Sequence, residues 1–352
     1  MSGDEARPSR PTSGPLGALP PVAHDAPVSI IIPARAAASL IADCLDAVLP
    51  QLRDGDEVVV SAADESTAEA ARGVARWSAV PVRVVSNAVG TTPSALNAAI
   101  AAARNPVIVR VDAQARIPEG YRDRVVALLA STGAVNVGGR QVARADRGVA
   151  AAIAAAMNAR LGHGGAAYRS GDRGGPVDTV YLGAFRADAL ALVGGYDEHF
   201  TTNQDAELNE RLRRAGGTVW LDPALAVTYL PRRSLAALAR QFRGYGRGRA
   251  MTARRHPGSL GRRQLAAPLL VLTLAAALVL VPWTAVPLAL VVGGYGALLV
   301  VGTLLEGGDA VRRFPITLAA LAVMHVAWGV GFLTAPTSGV AGPLGSEGPP
   351  TG

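Results

Sequence analysis

The sequence predicts an α/β fold with a mostly parallel sheet, followed by a C-terminal helical segment that crosses a membrane. Runs of β-branched residues alternate with helical patterns between residues 28 and 111, which is typical of parallel strands covered on both faces. Three apolar segments of nearly bilayer-spanning length follow residue 264. Because 50% of the residues are apolar and only 17% are charged, the chain as a whole is neither disordered nor a coiled coil.

The first part of the chain supplies the predicted sheet. Residues 1–27 are rich in Pro, Gly, Ser and Ala and contain no apolar run, so we expect a disordered tail. Four strands are predicted next, at 28–32, 57–61, 82–86 and 107–111. Leu40, Leu45 and Val48 recur at helical spacing after the first strand, and residues 93–103 are good helix formers.

The pattern is looser after Pro118. We predict two further strands, near 136–142 and 179–185, and three helices, at 149–160, 204–215 and 235–249. The glycine-rich stretch 162–175 is expected to be a mobile loop. The predicted organisation is a sheet domain over 28–230, an arginine-rich amphipathic segment over 231–264, about three spans over 265–335 and a disordered tail over 336–352.

The predicted spans lie at 265–281, 285–305 and 315–335. The first is short and contains Pro268, and two of the three could instead form a re-entrant hairpin. Arginines precede the first span and occupy the loop before the third, whereas the tail after Thr334 has no basic residue. By the positive-inside rule, the sheet domain then faces the cytoplasm from a multi-pass protein of the cell membrane.

The positive charge is local. The chain has 34 basic and 27 acidic residues, a net charge of +7, and every basic residue is an arginine. Arginines cluster between Arg232 and Arg263, and no acidic residue occurs from Pro223 to Leu305. This collar beside an apolar segment favours contact with membrane lipids over nucleic-acid binding. The single cysteine, Cys44, is expected in the core and excludes a multi-cysteine metal site.

Three carboxylates occupy positions where an open parallel sheet binds ligands, beyond the carboxyl ends of its strands. Asp64 follows the second strand, where it could hydrogen-bond a nucleoside or cap the next helix. Asp112 follows the fourth strand and begins Asp112-Ala-Gln114, whose alternating side chains could approach one cation. The alternative for Asp112 is a loop residue that caps the next turn.

Asp205 is the third carboxylate and opens a predicted helix. It shares the inward-facing stripe of Leu208 and Leu212, whereas Glu207 and Glu210 lie elsewhere on the helix. An inward carboxylate at a helix start is a candidate general base. A structural role, in which the carboxylate interacts with the helix dipole, is the alternative.

Several segments, taken in order, resemble the family 2 glycosyltransferases of the GT-A fold. Within that family, the segments are most similar to membrane-associated enzymes of succinoglycan-type exopolysaccharide synthesis. The segments that carry the family resemblance are 28–35 (VSIIIPAR), 64–67 (DEST), 95–97 (ALN), 111–114 (VDAQ) and 203–205 (NQD). The segments that carry the narrower resemblance are 178–185, 203–209 and 245–249.

The resemblance implies an inverting transfer of a sugar from a nucleotide-sugar, with a UDP-sugar as the first expectation, to a polyprenyl-linked glycan at the cytoplasmic membrane face. Asp205 would deprotonate the acceptor hydroxyl, and Asp112 with Gln114 would hold a divalent cation, Mg²⁺ or Mn²⁺. The resemblance also implies a set of residues that bind the nucleotide-sugar: Pro33, Ala34, Arg35, Asp64, Asn97 and Asp112.

Two departures from the family pattern bear on function. Gln114 is a neutral, weaker ligand where the family has an acidic residue or His. The segment 241–245 (QFRGY) lacks the Arg and Trp of the processive synthases, which argues against a processive enzyme. The residues that could hold the diphosphate of a lipid-linked acceptor, or anionic lipid headgroups instead, are Gln241, Arg243, Tyr245, Arg247 and Arg249.

Two other functions stay open at this stage. Gln114 suggests a non-catalytic scaffold subunit that binds a nucleotide-sugar. A nucleotidyltransferase would share the sheet, but the chain lacks a glycine-rich phosphate loop followed by Lys.

Overall fold

The structure is a computed structural model that describes residues 14–164, 169 and 172–336. Its strands are β1 (Val28–Ala34), β2 (Glu57–Ala62), β3 (Val82–Ser86), β4 (Val107–Arg110), β5 (Asn136–Gly139), β6 (Gln141–Ala143), β7 (Gly175–Pro176), β8 (Tyr181–Arg186), β9 (Val219–Leu221) and β10 (Val227–Tyr229). Helices that precede the C-terminal apolar segment are α1 (Ala38–Val48), α2 (Glu65–Ala75), α3 (Thr92–Ala102), α4 (Tyr121–Thr132), α5 (Gly148–Asn158), α6 (Arg160–His163), α7 (Ala187–Val193), α8 (Gln204–Arg214) and α9 (Leu235–Arg255). The last four are α10 (Ala266–Val279), α11 (Val286–Glu306), α12 (Gly308–Arg312) and α13 (Phe314–Leu333).

In the described part of the chain, eight strands form one mostly parallel sheet, in the order β3-β2-β1-β4-β8-β5-β9-β7. The first four strands in that order are mutually parallel, and β8 lies antiparallel between β4 and β5. The predicted α/β fold is therefore confirmed. Because β1, β2 and β4 run the same way, the residues that follow them meet at one edge of the sheet.

Helices cover both faces of this sheet because its central strands are apolar on both sides. Ile30 and Ile32 pack on one face with residues of α1 and α4. Ile31 packs on the other face with residues of α3, α7 and α8. Cys44 is buried in the first of these clusters, as predicted, and burial there raises the pKa of its thiol to about 12.

Two predicted features of the chain differ in the structure. Residues 14–27 are not a free tail, because Leu16 is 3% exposed and its backbone N–H donates to the Ala215 carbonyl. The predicted strand 136–142 is divided into β5 of the main sheet and β6, which pairs with β10 in a two-stranded sheet. The chain packs closely at the division, where a Cβ on Gly139 would lie 1.6 Å from the Leu225 carbonyl oxygen.

Some predictions fall on residues that the structure does not describe. Residues 1–13 of the predicted N-terminal tail and 337–352 of the C-terminal tail lie outside the described residues. So do 165–168 and 170–171 of the predicted glycine-rich loop.

Within the described residues, three helical segments are long and apolar enough to cross a membrane: Arg262–Val279, Val286–Glu306 and Phe314–Leu333. The third, α13, packs along α9, which extends to Arg255 and not to 249 as predicted. The two helices approach so closely that a Cβ on Gly246 would lie 1.9 Å from the Trp328 carbonyl oxygen. The arginine-rich helix is therefore joined directly to a candidate membrane span.

Candidate active site

Asp64 connects the ends of β1 and β2. It is the N-cap of α2, where its Oδ1 accepts from the Thr67 backbone N–H at 2.9 Å. Its Oδ2 accepts from the Ala36 backbone N–H at 2.7 Å. Desolvation opposes ionisation, but hydrogen bonds from Ser66, Ala36 and Thr67 outweigh it and lower the pKa of Asp64 to about 2. The carboxylate thus holds the loop after β1 in place, and its role towards a nucleoside stays a prediction.

The other predicted nucleotide-sugar residues divide into two groups. Pro33, Ala34 and Arg35 lie at the end of β1, and exposed Arg35 donates to the Gly90 carbonyl oxygen at 3.2 Å. Asn97 lies on α3, where its Oδ1 accepts from the Tyr196 N–H and its Nδ2 donates to the Tyr196 carbonyl oxygen. Asn97 therefore anchors the loop that precedes α8, and contact with a ligand would compete with these bonds.

Asp112 and Asp205 meet at one guanidinium. Arg110, the last residue of β4, donates from Nε to Asp112 Oδ1 at 2.9 Å and from Nη1 to Asp205 Oδ1. Its side chain is only 6% exposed. The fold thus unites a residue of α8 with a strand residue 95 positions earlier.

Asp205 lies in the first turn of α8, as predicted, with Asn203 as the N-cap residue. Its side chain is 36% exposed, so part of the carboxylate reaches solvent. Partial removal from water raises the pKa of Asp205, and nearby Asp112 adds to this effect, whereas Arg110 opposes it. A carboxylate with a raised pKa that still reaches solvent can accept a proton from a ligand.

Asp112, together with Gln114, is the residue predicted to hold a divalent cation. No group of three or more His, Cys, Asp and Glu residues that could hold a metal ion occurs within the described ranges. Asp112 Oδ1 is engaged by Arg110, and the structure gives Oδ2 no hydrogen-bond partner among the described residues. Gln114 is exposed on the following turn. One free carboxylate oxygen suits a Mg²⁺-like ion whose remaining ligands are water and substrate phosphates.

The predicted acceptor residues lie on α9. Gln241 Nε2 donates to the hydroxyl oxygens of Tyr229, at 2.7 Å, and Tyr245, at 3.0 Å. Its Oε1 is buried and has no hydrogen-bond partner among the residues that the structure describes. The structure thus brings Gln241 and Tyr245 together and leaves a buried acceptor atom beside them.

The three predicted arginines of α9 do not share one environment. Arg243 and Arg247 are exposed. Arg249 is buried, and its guanidinium donates to Gln264 Oε1 at 2.9 Å and to the Ser259 carbonyl oxygen. Arg249 thus ties α9 to the segment before α10, and its role towards an acceptor diphosphate stays a prediction.

Neither the place of Arg110 in the site nor the burial of Glu207 and Glu210 on α8 was predicted from the sequence. Arg110 is a lone charge in an apolar strand, two positions before Asp112, and residues two apart in a strand point to the same face. Glu207 is 1% exposed, forms an ion pair with Arg211, and lies within hydrogen-bond distance of His256, with Nε2 2.8 Å from its Oε1. Glu207 is buried because α9 covers the side of α8 opposite the apolar stripe. An amphipathic pattern alone would predict that this side faces solvent.

Carboxylates lie at the carboxyl ends of the parallel strands, and an acidic residue of a later helix faces them. This arrangement defines an α/β protein with a ligand site at that edge of the sheet. The chain belongs to glycosyltransferase-like family 2, because the profile of the family described as "Glycosyltransferase like family 2" matches residues 25–246.

Two individual proteins are similar over most of the chain. The succinoglycan biosynthesis protein ExoA of Rhizobium meliloti (strain 1021) is 34% identical over 317 residues, which are 86% of this chain and 93% of that protein. The structure of the mannosyltransferase PcManGT from Pyrobaculum calidifontis, in complex with GDP-Man and Mn²⁺, matches with a TM-score of 0.61 and 21% identity. That match covers 91% of this chain and 92% of the other, and it confirms the GT-A fold.

Proposed function

We propose that the protein is an inverting glycosyltransferase that moves a sugar from a nucleoside diphosphate sugar to a lipid-linked glycan at the cytoplasmic face of the cell membrane. The meeting of Asp112 and Asp205 at Arg110 carries this proposal. It brings a donor-side carboxylate and a candidate base to two nitrogens of one guanidinium. The similarity to a succinoglycan biosynthesis protein supports exopolysaccharide or another envelope glycan as the product.

Asp205 would act on the acceptor. Its carboxylate would take the proton of an acceptor hydroxyl while that oxygen attacks the anomeric carbon of the donor from the face opposite the diphosphate. The bond from the anomeric carbon to the diphosphate oxygen breaks, and the nucleoside diphosphate leaves. Direct displacement of this kind inverts the anomeric configuration.

Asp112 would act on the donor, with its free Oδ2 next to the diphosphate. A divalent cation held there with the phosphates would neutralise the charge that develops on the leaving group. The PcManGT complex with GDP-Man and Mn²⁺ supports a donor and cation of this kind. We propose a UDP-sugar as the first donor to test and GDP-mannose as its direct competitor.

The experiment uses the purified full chain in detergent and measures nucleoside diphosphate release from a panel of nucleotide-sugars with Mg²⁺ or Mn²⁺. We expect release from one donor, together with calorimetric donor binding that Asp112→Asn weakens and a chelator abolishes. Chelator-insensitive binding that Asp112→Asn leaves unchanged would exclude Asp112 as the residue that holds the cation.

A non-catalytic scaffold is the second candidate. Exposed, neutral Gln114 and the engagement of Asp112 Oδ1 by Arg110 favour it, because both reduce the ligands available to a cation. A scaffold would bind a nucleotide-sugar in the same panel but release no nucleoside diphosphate with any acceptor lipid.

A further inference from the structure

Arg110 is a buried cation at the centre of the candidate site. It is 5% exposed and ends a strand whose other residues, Val107, Ile108 and Val109, are buried and apolar. A buried guanidinium is costly unless ion pairs and hydrogen bonds compensate for its lost hydration. Two carboxylates provide that compensation, and both belong to the site.

The guanidinium binds these carboxylates through two different nitrogens. Nε is bonded to Asp112 Oδ1 and Nη1 to Asp205 Oδ1. Because the nitrogens of an arginine lie in one rigid plane, the bonds fix the two carboxylates relative to each other. The hydroxyl of Tyr196, which is 3% exposed, interacts electrostatically with both Arg110 and Asp205 but makes no hydrogen bond of adequate geometry among the described residues.

We infer that Arg110 is a positioning residue, whose planar guanidinium holds the donor-side carboxylate Asp112 and the base Asp205 in register for sugar transfer. The inference rests on the proposed function. Without the guanidinium, two like charges in a partly dehydrated cleft repel each other and separate. A displacement of about 1 Å between reacting groups costs about 10²-fold in rate.

A role in charge balance alone makes a different prediction. A lysine ammonium supplies the same charge from one point and lacks the planar set of donors that binds two carboxylates in fixed directions. If Arg110 only balances charge, Arg110→Lys should keep its function. If Arg110 positions the two carboxylates, Arg110→Lys should not.

A second buried ion pair offers a matched control. Arg122 and Asp56 are 3% and 0% exposed at their side chains, with an N–O distance of 2.9 Å. Asp56 precedes β2 and accepts from the Val28 N–H at the start of β1, so this pair lies at the amino edge of the sheet, opposite the candidate site. Arg122→Lys thus perturbs a buried arginine–carboxylate pair without touching that site.

The experiment compares Arg110→Lys, Arg110→Ala and Arg122→Lys in the full chain in detergent. It measures kcat for transfer, donor KM and the melting temperature. We expect Arg110→Lys to lower kcat by about 10²-fold, with a much smaller change in donor KM, and Arg122→Lys to lower the melting temperature with kcat unchanged. Guanidinium ion added to Arg110→Ala should restore part of kcat, and methylammonium at the same concentration should not.

Two results would overturn the inference: a kcat for folded Arg110→Lys close to that of the unaltered chain, or equal rescue by both cations. If Arg110→Ala does not fold, Arg110→Lys decides alone, because it keeps the charge that the strand requires. Absence of transfer by the unaltered chain with every donor would instead overturn the proposed function, and this inference with it. Normal transfer by the unaltered chain beside an unimpaired Arg110→Lys rejects the inference only.

Discussion

The side chain of Asp205 lies between a guanidinium that favours its charge and surroundings that disfavour it. Arg110 binds Oδ1, whereas partial dehydration and Asp112 raise the pKa of Asp205. A base works best when its pKa is near the pH at which it operates. Their net effect is to raise the pKa of Asp205, which moves it towards the range in which a carboxylate works as a general base.

Asp205→Asn tests this role at the residue scale, because it keeps the size of the side chain and removes the proton acceptor. We expect kcat to fall by about 10²–10⁴-fold, with near-normal donor affinity and little change in melting temperature. Steady-state kinetics, calorimetry and thermal unfolding measure the three quantities. A variant that melts early but turns over normally when folded would assign Asp205 a structural role.

The pH dependence of kcat gives a second prediction for the same residue. The ionised carboxylate is the active form, so kcat declines as pH falls through the pKa of Asp205. Because that pKa is raised, the decline should begin at a higher pH than for an ordinary aspartate, whose pKa is about 3.9. The residual kcat of Asp205→Asn should not decline in this way at low pH. A decline that persists in the variant would show that another group titrates.

The positions of Asp64, Asp112 and Asp205 could be expected from sequence, because each follows a strand or opens a helix. Their connections could not. The bond from Arg110 to Asp205 joins segments that only tertiary packing brings together. The engagement of Asn97 by the Tyr196 backbone likewise has no local signal.

At the scale of elements, the start of α8 is fixed by α9. Asn203 adopts a positive φ of 65°, a conformation that asparagine tolerates better than most residues. Its Nδ2 donates to the hydroxyl of fully buried Thr252 at 2.7 Å. A Cβ on Gly248 would lie 2.7 Å from the Thr202 carbonyl oxygen, so α9 packs directly against the turn that places Asp205.

Thr252→Val and Thr252→Ser test this contact as a matched pair. Valine keeps the shape and leaves Asn203 Nδ2 without its partner, whereas serine keeps the hydroxyl. We expect Thr252→Val to lower kcat by up to about 10²-fold and the free energy of unfolding by about 1–3 kcal/mol, and Thr252→Ser to retain most activity. Equal activity of the two variants would show that the hydroxyl does not position Asp205.

The strands in the first part of the chain match the sequence prediction most closely, and the predicted strand 82–86 has the same bounds as β3 although β3 is only partly buried. The predicted strands 28–32, 57–61 and 107–111 coincide with β1, β2 and β4 within two residues. Residues 136–142 were predicted as one strand because hydrophobic periodicity does not show that Gly139 lets the Leu225 backbone approach closely. The length of α9 was underestimated because its second half packs against α13, a candidate membrane span distant in sequence.

At the scale of the whole molecule, α9 and α13 join the sheet domain to the candidate membrane segment. One apolar cluster contains Met157 of α5 in the sheet domain, Phe242 of α9, and Leu321 and Met324 of α13. A Cβ on Gly331 would lie 2.0 Å from the Arg243 carbonyl oxygen. The candidate membrane span therefore contributes to the packing of the domain and does more than anchor it.

Gly331→Ala tests this packing, with Gly294→Ala as its control in another candidate span. A Cβ on Gly294 meets no atom within 4 Å. We expect Gly331→Ala to force the two helices apart and to destabilise the protein in detergent by about 1–3 kcal/mol, and Gly294→Ala to leave its melting temperature unchanged or slightly higher. If Gly331→Ala and Gly294→Ala melt at the same temperature, the close contact between α9 and α13 does not stabilise the protein.

Transfer onto lipid tests the central claim most directly. The purified full chain is incubated with a labelled nucleoside diphosphate sugar, a divalent cation and a lipid extract that contains polyprenyl-linked glycans, and label is measured in the organic phase. We predict that the unaltered chain moves label into the lipid fraction, with one nucleoside diphosphate released per sugar, and that Asp205→Asn does not. Label that stays on the nucleotide or appears only as free sugar, or equal transfer by Asp205→Asn, would contradict the account.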